Sequence, residues 1–187
     1  AGGVRTEATY TVDEEKLPEG FSTFNLVVKG LTGGHSGDDI NKKRANANKL
    51  LVRFLLEQSE KTDLRLCDIQ AGGLHNAIPR EAHATVAVPT AYVATFGEEL
   101  QAFVEKVRDE FSATEPELTA VIEPVAAAPT CICKEQAERL LKSLSVVHNG
   151  IFAMSQDLEG LVETSSNLAS VRKHGNQIVA TTSQRSS

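Results

Sequence analysis

His35 stands among glycines in Gly33-Gly34-His35-Ser36-Gly37. Glycines let a backbone approach a ligand closely, so this loop is expected to present the imidazole outward, where it can exchange protons or hydrogen bonds. The plainer alternative is a Gly-rich turn whose histidine is merely exposed. A second unusual stretch is Gly72-Gly73-Leu74-His75-Asn76-Ala77-Ile78-Pro79-Arg80-Glu81. Its Asn76 either caps a turn through the side chain or offers an amide to a substrate. Arg185 closes the polar run Thr181-Thr182-Ser183-Gln184-Arg185-Ser186-Ser187, where an arginine ordinarily means only a charged surface. Ser36, Asp38 and Asp39 could form a hydrolytic cluster with His35, but carboxylates at a helix start ordinarily serve capping and the helix dipole. The strong metal spacings are missing: no H-E-x-x-H occurs, and Cys131-Ile132-Cys133 is too tight for a zinc knuckle and has no second pair. His83 lies in an alternating strand, His148 near a helix end and His174 in a turn. No self-sufficient active site is visible.

These residues must be positioned by the elements between them. Thr6 to Val12 and Ser22 to Lys29 alternate as strands, separated by the acidic run Asp13 to Gly20. After the Gly30 to Gly37 loop, Ala47, Leu50, Leu51, Phe54 and Leu55 form the apolar stripe of a helix. Leu64 to Gln70 and Ala82 to Val88 are expected to be strands joined across Gly72-Gly73. Phe96, Leu100, Phe103, Val104, Val107 and Phe111 mark a second helix, and Leu118 to Val125 a further strand. This order is that of a ferredoxin-like split βαβ unit, an antiparallel sheet with two helices on one face, running from about Ser22 to Val125. Ala126 to Pro129 reads as a linker. A second, smaller α/β lobe, about 130 to 187, follows: a helix with Ala137, Leu140, Leu141, Leu144 and Val147 inward, stopped at Asn149-Gly150, then strands Ile151 to Met154, Leu161 to Val171 and Gln177 to Gln184. These are expected to form a second antiparallel sheet turned at His174-Gly175-Asn176. The fold class is therefore α+β.

Composition narrows the function. The 187 residues are 41% hydrophobic, ample for a core, and the absence of Trp with 5% aromatics means Leu, Val, Ile and Ala must build it. A net charge of -6 without a long basic block excludes the footprint of a nucleic-acid binder. Three cysteines, an odd number, argue against a disulfide framework, and no stretch reads as a signal peptide or membrane span. A cytoplasmic, reduced protein is expected, although the chain opens at Ala1 rather than Met.

Gly30-Leu31-Thr32-Gly33-Gly34-His35-Ser36-Gly37, Asn46-Ala47-Asn48-Lys49-Leu50-Leu51, His75-Asn76-Ala77-Ile78-Pro79-Arg80-Glu81-Ala82, Val162-Glu163-Thr164-Ser165-Ser166-Asn167-Leu168 and Gln184-Arg185-Ser186-Ser187 follow one another in this order. Together they resemble the lid domain of the bacterial aminoacyl-histidine dipeptidases, carnosinase-like two-zinc peptidases, over nearly the whole chain. Each piece is weak; their common order carries the resemblance. The loop departs from the family pattern at Asp38-Asp39, where relatives more often carry Gly and then Glu, a change in local charge expected to bear on substrate preference.

The resemblance implies a dipeptidase of two domains: a catalytic domain that binds two zinc ions and holds a Glu general base, and an inserted lid that folds over the dipeptide. All matching residues belong to the lid. Ala1-Gly2-Gly3 and Ser187 would then adjoin the catalytic domain, the zinc ligands would lie outside this chain, and the chain alone would be inactive. The implied reaction is hydrolysis of Xaa-His dipeptides, with His35 stabilising the oxyanion and Asn76 and Arg185 binding substrate. Expected partners are the dipeptide, the catalytic domain of the same polypeptide and, in a homodimer, a second copy; whether His35 serves its own subunit or its partner's is left open. The rival reading is a non-enzymatic ferredoxin-like binding or oligomerisation module.

Overall fold

The computed structural model describes residues 2–186. Ala1 and Ser187, at the expected junctions with a neighbouring domain, lie outside the described residues. The first ordered layer is the antiparallel set β3 (Phe21–Lys29), β5 (Arg65–Gly72), β7 (Ala82–Pro89) and β8 (Thr119–Pro124), in the spatial order β5-β7-β3-β8. With α1 (Ala47–Lys61) between β3 and β5, and α2 (Val93–Glu110) between β7 and β8, this is the ferredoxin-like unit expected from the sequence.

Alternation explains which face is covered. Phe24, Leu26 and Val28 on β3, and Ala82, Ala84, Val86 and Val88 on β7, enter the main core together with Leu50, Leu51, Phe54 and Leu55 of α1 and Phe96, Leu100, Phe103 and Val107 of α2. Phe54 joins the two helices, its ring centroid 5.5 Å from Phe96 and 5.2 Å from Phe103. β5 departs from simple alternation. A bulge between Leu66 and Asp68 absorbs one residue, so Leu66 and Ile69, three apart, both reach the core.

The second unit extends this sheet and does not form a separate one. β11 (Val162–His174) pairs antiparallel with β5 through Ser170↔Gly72, Val171↔Ala71 and Arg172↔Gln70. β12 (Gln177–Ser186) pairs with β11, β1 (Gly2–Thr11) with β12, and β10 (Gly150–Met154) with β11, giving an eight-stranded sheet. The expectation of two separate sheets fails because the Gly72 end of β5 has a free edge that β11 occupies. α3 (Lys134–Val146) likewise buries Ala137, Leu140, Leu141 and Leu144 in the same core as α1. The segment taken for a linker, Ala126 to Pro129, is tied down by the Ala128 N–H donating to Thr23 Oγ1 and the Pro129 carbonyl accepting the Leu17 N–H, both at 3.2 Å. Directly after it β9 (Thr130–Ile132) pairs with β2 (Glu14–Lys16), and Cys131 is buried with Leu17 and Ala87. Gly2 and Ser186 are partners in the β1/β12 ladder, so the two described ends lie side by side.

Two charged side chains fasten the loops around this frame. Lys49 donates from Nζ to the carbonyls of Leu144, Ser145 and Val147 at 3.0, 2.8 and 2.7 Å, capping the end of α3; burial pushes its pKa down. Glu115 is buried and accepts the backbone N–H of Thr32 at 2.6 Å and of Ala45 at 2.9 Å, clamping both ends of the loop that carries His35. Glu115→Ala leaves both donors without an acceptor, and the expected loss of stability by denaturant unfolding is about 2–4 kcal/mol. Glu115→Gln, which keeps one carbonyl acceptor, should lose less.

Candidate functional site

The His35 loop is held by a short ribbon. β4 (Gly34–His35) pairs with β6 (Ala77–Ile78), Gly34 opposite Ile78 and His35 opposite Ala77, and the Ser36 N–H continues it by donating to the Asn76 carbonyl at 2.9 Å. The glycine requirement is physical at Gly34: its φ is +140°, and a Cβ there would collide with Arg44 and Asp39. Those two side chains tether the loop. Arg44 donates to the Gly33 carbonyl at 2.5 Å, and Asp39 Oδ2 accepts the His35 N–H at 2.9 Å.

Asp39 also pairs with Lys42 at 2.6 Å and Arg44 at 3.2 Å. The Lys42 hydrogen bond first, then the His35 N–H, hold its carboxyl down at about 2, against an ordinary 3.8. A carboxyl depressed in the folded state stabilises fully above its unfolded pKa and loses that contribution as pH falls through the folded one. The stability advantage of native protein over Asp39→Asn should therefore be constant above pH 3.8 and vanish as pH falls through about 2, as read from unfolding curves against pH. An advantage that stayed level across that window would show that the carboxylate charge contributes nothing.

Buried asparagines join this ribbon to the sheet. Asn46, the N-cap of α1, accepts from the backbone N–H of Asn48 and Lys49, while its amide donates to Asn149 Oδ1 at 2.9 Å and to the Leu168 carbonyl at 3.0 Å. Asn167 donates to the Ala77 carbonyl at 2.8 Å, so β11 grips the ribbon beside Asn76. The same strand pairs Ser165 with Arg185 of β12. One strand thus fixes both the Asn76 ribbon and Arg185, which accounts for their convergence from distant parts of the sequence.

Of the three candidate residues, His35 and Arg185 meet directly. An Arg185 terminal nitrogen lies 3.5 Å from His35 Nε2. At the other ring nitrogen, Nδ1, the Asp38 N–H stands at 3.3 Å and the Asp38 carboxylate at 3.2 Å. Accepting the N–H leaves the proton on Nε2; the carboxylate is served when Nδ1 carries the proton. Asn76 joins through its backbone, and its side-chain amide has no hydrogen-bond partner among the described residues. Arg185 and Gly37 line an open groove of about 1040 Å³ together with Asp38, His75, Glu163 and Gln184. His35 and Asn76 do not form its walls.

Sequence reasoning missed the clamp Glu115, the tether Arg44 and the grip of Asn167 on Ala77. It singled out Asp39 as a capping or hydrolytic carboxylate, whereas its side chain makes no cap hydrogen bond and instead holds the His35 N–H. No spacing pattern marks Glu115 or Arg44, since each acts on a backbone group remote in sequence or inside a loop. Asn167 ends the polar run Glu163-Thr164-Ser165-Ser166-Asn167, which singles out none of its members. Among the described residues no three His, Cys, Asp or Glu side chains converge to hold a metal ion. His83 pairs loosely with Glu81 at 3.5 Å, His148 stacks on Phe152, and Cys67, Cys131 and Cys133 are free thiols. Among the described residues no helix is long and apolar enough to cross a membrane.

The chain is thus an α+β sheet packed with helices, with a polar cluster of loop and strand residues that includes His35 and Arg185. Residues 19–118 match the family model described as the peptidase dimerisation domain, and the chain belongs to that family. It is 38% identical over 178 residues to the cytosol non-specific dipeptidase of Escherichia coli (strain K12), covering 95% of this chain and 37% of that protein. The crystal structure of aminoacylhistidine dipeptidase from Vibrio alginolyticus superimposes with a TM-score of 0.96 at 36% identity, over 99% of this chain and 38% of that one. The chain therefore spans under two fifths of either relative, and both relatives are dipeptidases by name.

Proposed function

We propose that this chain is the substrate-covering lid of a longer, cytoplasmic, two-zinc dipeptidase acting on Xaa-His dipeptides, and that it is inactive alone. The observation that carries the reading is the meeting of the presented His35 imidazole with the Arg185 guanidinium, on a ribbon that also holds Asn76 by its backbone, with no metal-binding cluster among the described residues. That set suits holding a dipeptide and does not suffice to cleave it. The described residues do not fit zinc, so both ions are assigned to the rest of the polypeptide, and no chemical step of this chain runs through them. The two dipeptidase relatives, and the pairing of Gly2 with Ser186, support an inserted lid whose chain returns to where it left. The family's dimerisation description supports a homodimeric parent.

In this reading His35 donates a hydrogen bond to the carbonyl oxygen as negative charge grows on it in the tetrahedral transition state. Asn76 stands beside it or holds the substrate backbone, and Arg185 takes the free C-terminal carboxylate. The test compares the full-length protein with the isolated chain on β-alanyl-histidine, on other Xaa-His dipeptides and on dipeptides without histidine. Zinc-dependent hydrolysis by the full-length protein alone, favouring Xaa-His, is expected. Robust hydrolysis by the isolated chain would overturn the lid reading. Equal rates on all dipeptides would remove the Xaa-His preference, and an inactive, zinc-free full-length protein would favour the non-enzymatic module.

A further inference from the structure

We propose that Gly37 is a positioning residue for Arg185: its missing side chain is the seat on which the guanidinium lies. The inference rests on the reading of Arg185 as the carboxylate clamp and deepens it. A Cβ built on Gly37 would stand 2.6 Å from an Arg185 terminal nitrogen, 2.7 Å from Cζ and 3.0 Å from Nε, so the planar fork occupies the space a methyl group would need. The crowding is confined to the fork, since a Cβ on Gly3, the β1 partner of Arg185, would stand 4.0 Å from Arg185 Cγ, an ordinary contact.

Gly37 differs from its neighbours in what its replacement would disturb. Gly33 and Gly34 have φ of +65° and +140°, where any side chain strains the backbone, and Gly34 is also packed against Arg44 and Asp39. Gly37 is not among the positive-φ glycines, and the three atoms nearest to a Cβ built on it all belong to Arg185. Arg185 is exposed and its fork is the far end of a flexible stem, so a methyl at position 37 displaces the fork and leaves the fold alone. Carbon contacts need about 3.5 Å, so the displacement is on the order of an ångström, enough to take a bidentate clamp out of register with a carboxylate.

The experiment uses the full-length enzyme with Gly37→Ala, Arg185→Ala and the double variant, assayed on a free-acid dipeptide and its C-terminal amide. Gly37→Ala should raise KM for the free acid roughly tenfold, with kcat changed far less, zinc content unchanged and the amide little affected. In the Arg185→Ala background it should add nothing, because the group it displaces is gone. A crystal structure of Gly37→Ala should show the fork moved and the backbone of residues 34–38 in place. Losses that add in the double variant, or an unmoved fork, overturn the seat. If Arg185→Ala itself fails to distinguish acid from amide, the clamp reading falls separately, and the position of the fork in that crystal structure still decides the seat.

Discussion

His35→Ala in the full-length enzyme is expected to lower kcat by roughly 10² to 10³ with zinc content unchanged. The expectation follows from where the imidazole is held. Its backbone is fixed by the β4/β6 ribbon and by the Asp39 carboxylate, so the loop presents the ring from a defined position to a developing charge. A donor preset in this way stabilises the transition state more than the bound dipeptide, so the loss appears in kcat and not in KM alone. The Asp38 N–H at Nδ1 suits the tautomer with its proton on Nε2, and the Asp38 carboxylate suits a proton on Nδ1. The donor role requires the first, with the Arg185 fork, which only donates, turned from Nε2 toward the substrate. Stopped-flow or steady-state assays of the variant, with metal analysis of the same sample, separate this from a loss of zinc. Near-normal kcat would return His35 to an exposed loop histidine.

Arg185→Ala should act on binding instead. A guanidinium that clamps the free C-terminal carboxylate holds substrate and transition state alike, so its removal raises KM, on the order of 10- to 100-fold for a charge-assisted bidentate pair. The effect should be far smaller on a C-terminally amidated dipeptide, in which the carboxylate is already gone. Equal losses on acid and amide would show that Arg185 acts through the structure of the β11/β12 ladder and not through the substrate.

How much of this was legible in the sequence depends on the range of the interaction that decides it. The stripe of Leu50, Leu51, Phe54 and Leu55 and that of Phe96, Leu100, Phe103 and Val107 gave both helices, because a helix repeats its burial within a few residues. The strand order of the first unit followed from the alternation of strands and helices. Partner choice was not legible. That β11 would pair with β5 at Ser170 and Gly72, and that residues 14–16 would find residues 130–132, are decisions between segments far apart in the chain. The bulge in β11 between Leu168 and Ser170 hid in the same way as that in β5: Leu168 and Val171, three apart, both face the core, which strict alternation forbids.

The candidate site was legible as residues and illegible as an arrangement. The glycines around His35 pointed to a close backbone approach, and Gly34 and Gly37 supply one each, the first to Arg44 and Asp39 and the second to Arg185. That Arg185 would be the residue resting on this loop is set by the register Ser165↔Arg185 and by the hold of Asn167 on Ala77, neither of which leaves a local pattern. Glu115 illustrates the same limit. A glutamate after a helix reads as a solvated charge, and only the folded chain brings the Thr32 and Ala45 N–H groups to it.

The lid reading is tested most directly by a crystal structure of the full-length protein with a phosphinic Xaa-His dipeptide, whose tetrahedral phosphorus mimics the transition state. The expected complex has a His35 ring nitrogen within hydrogen-bond distance of a phosphinyl oxygen and the Arg185 fork on the terminal carboxylate. A complex in which both side chains stand clear of the ligand, with its carboxylate held by other residues, would contradict the lid's role in binding substrate.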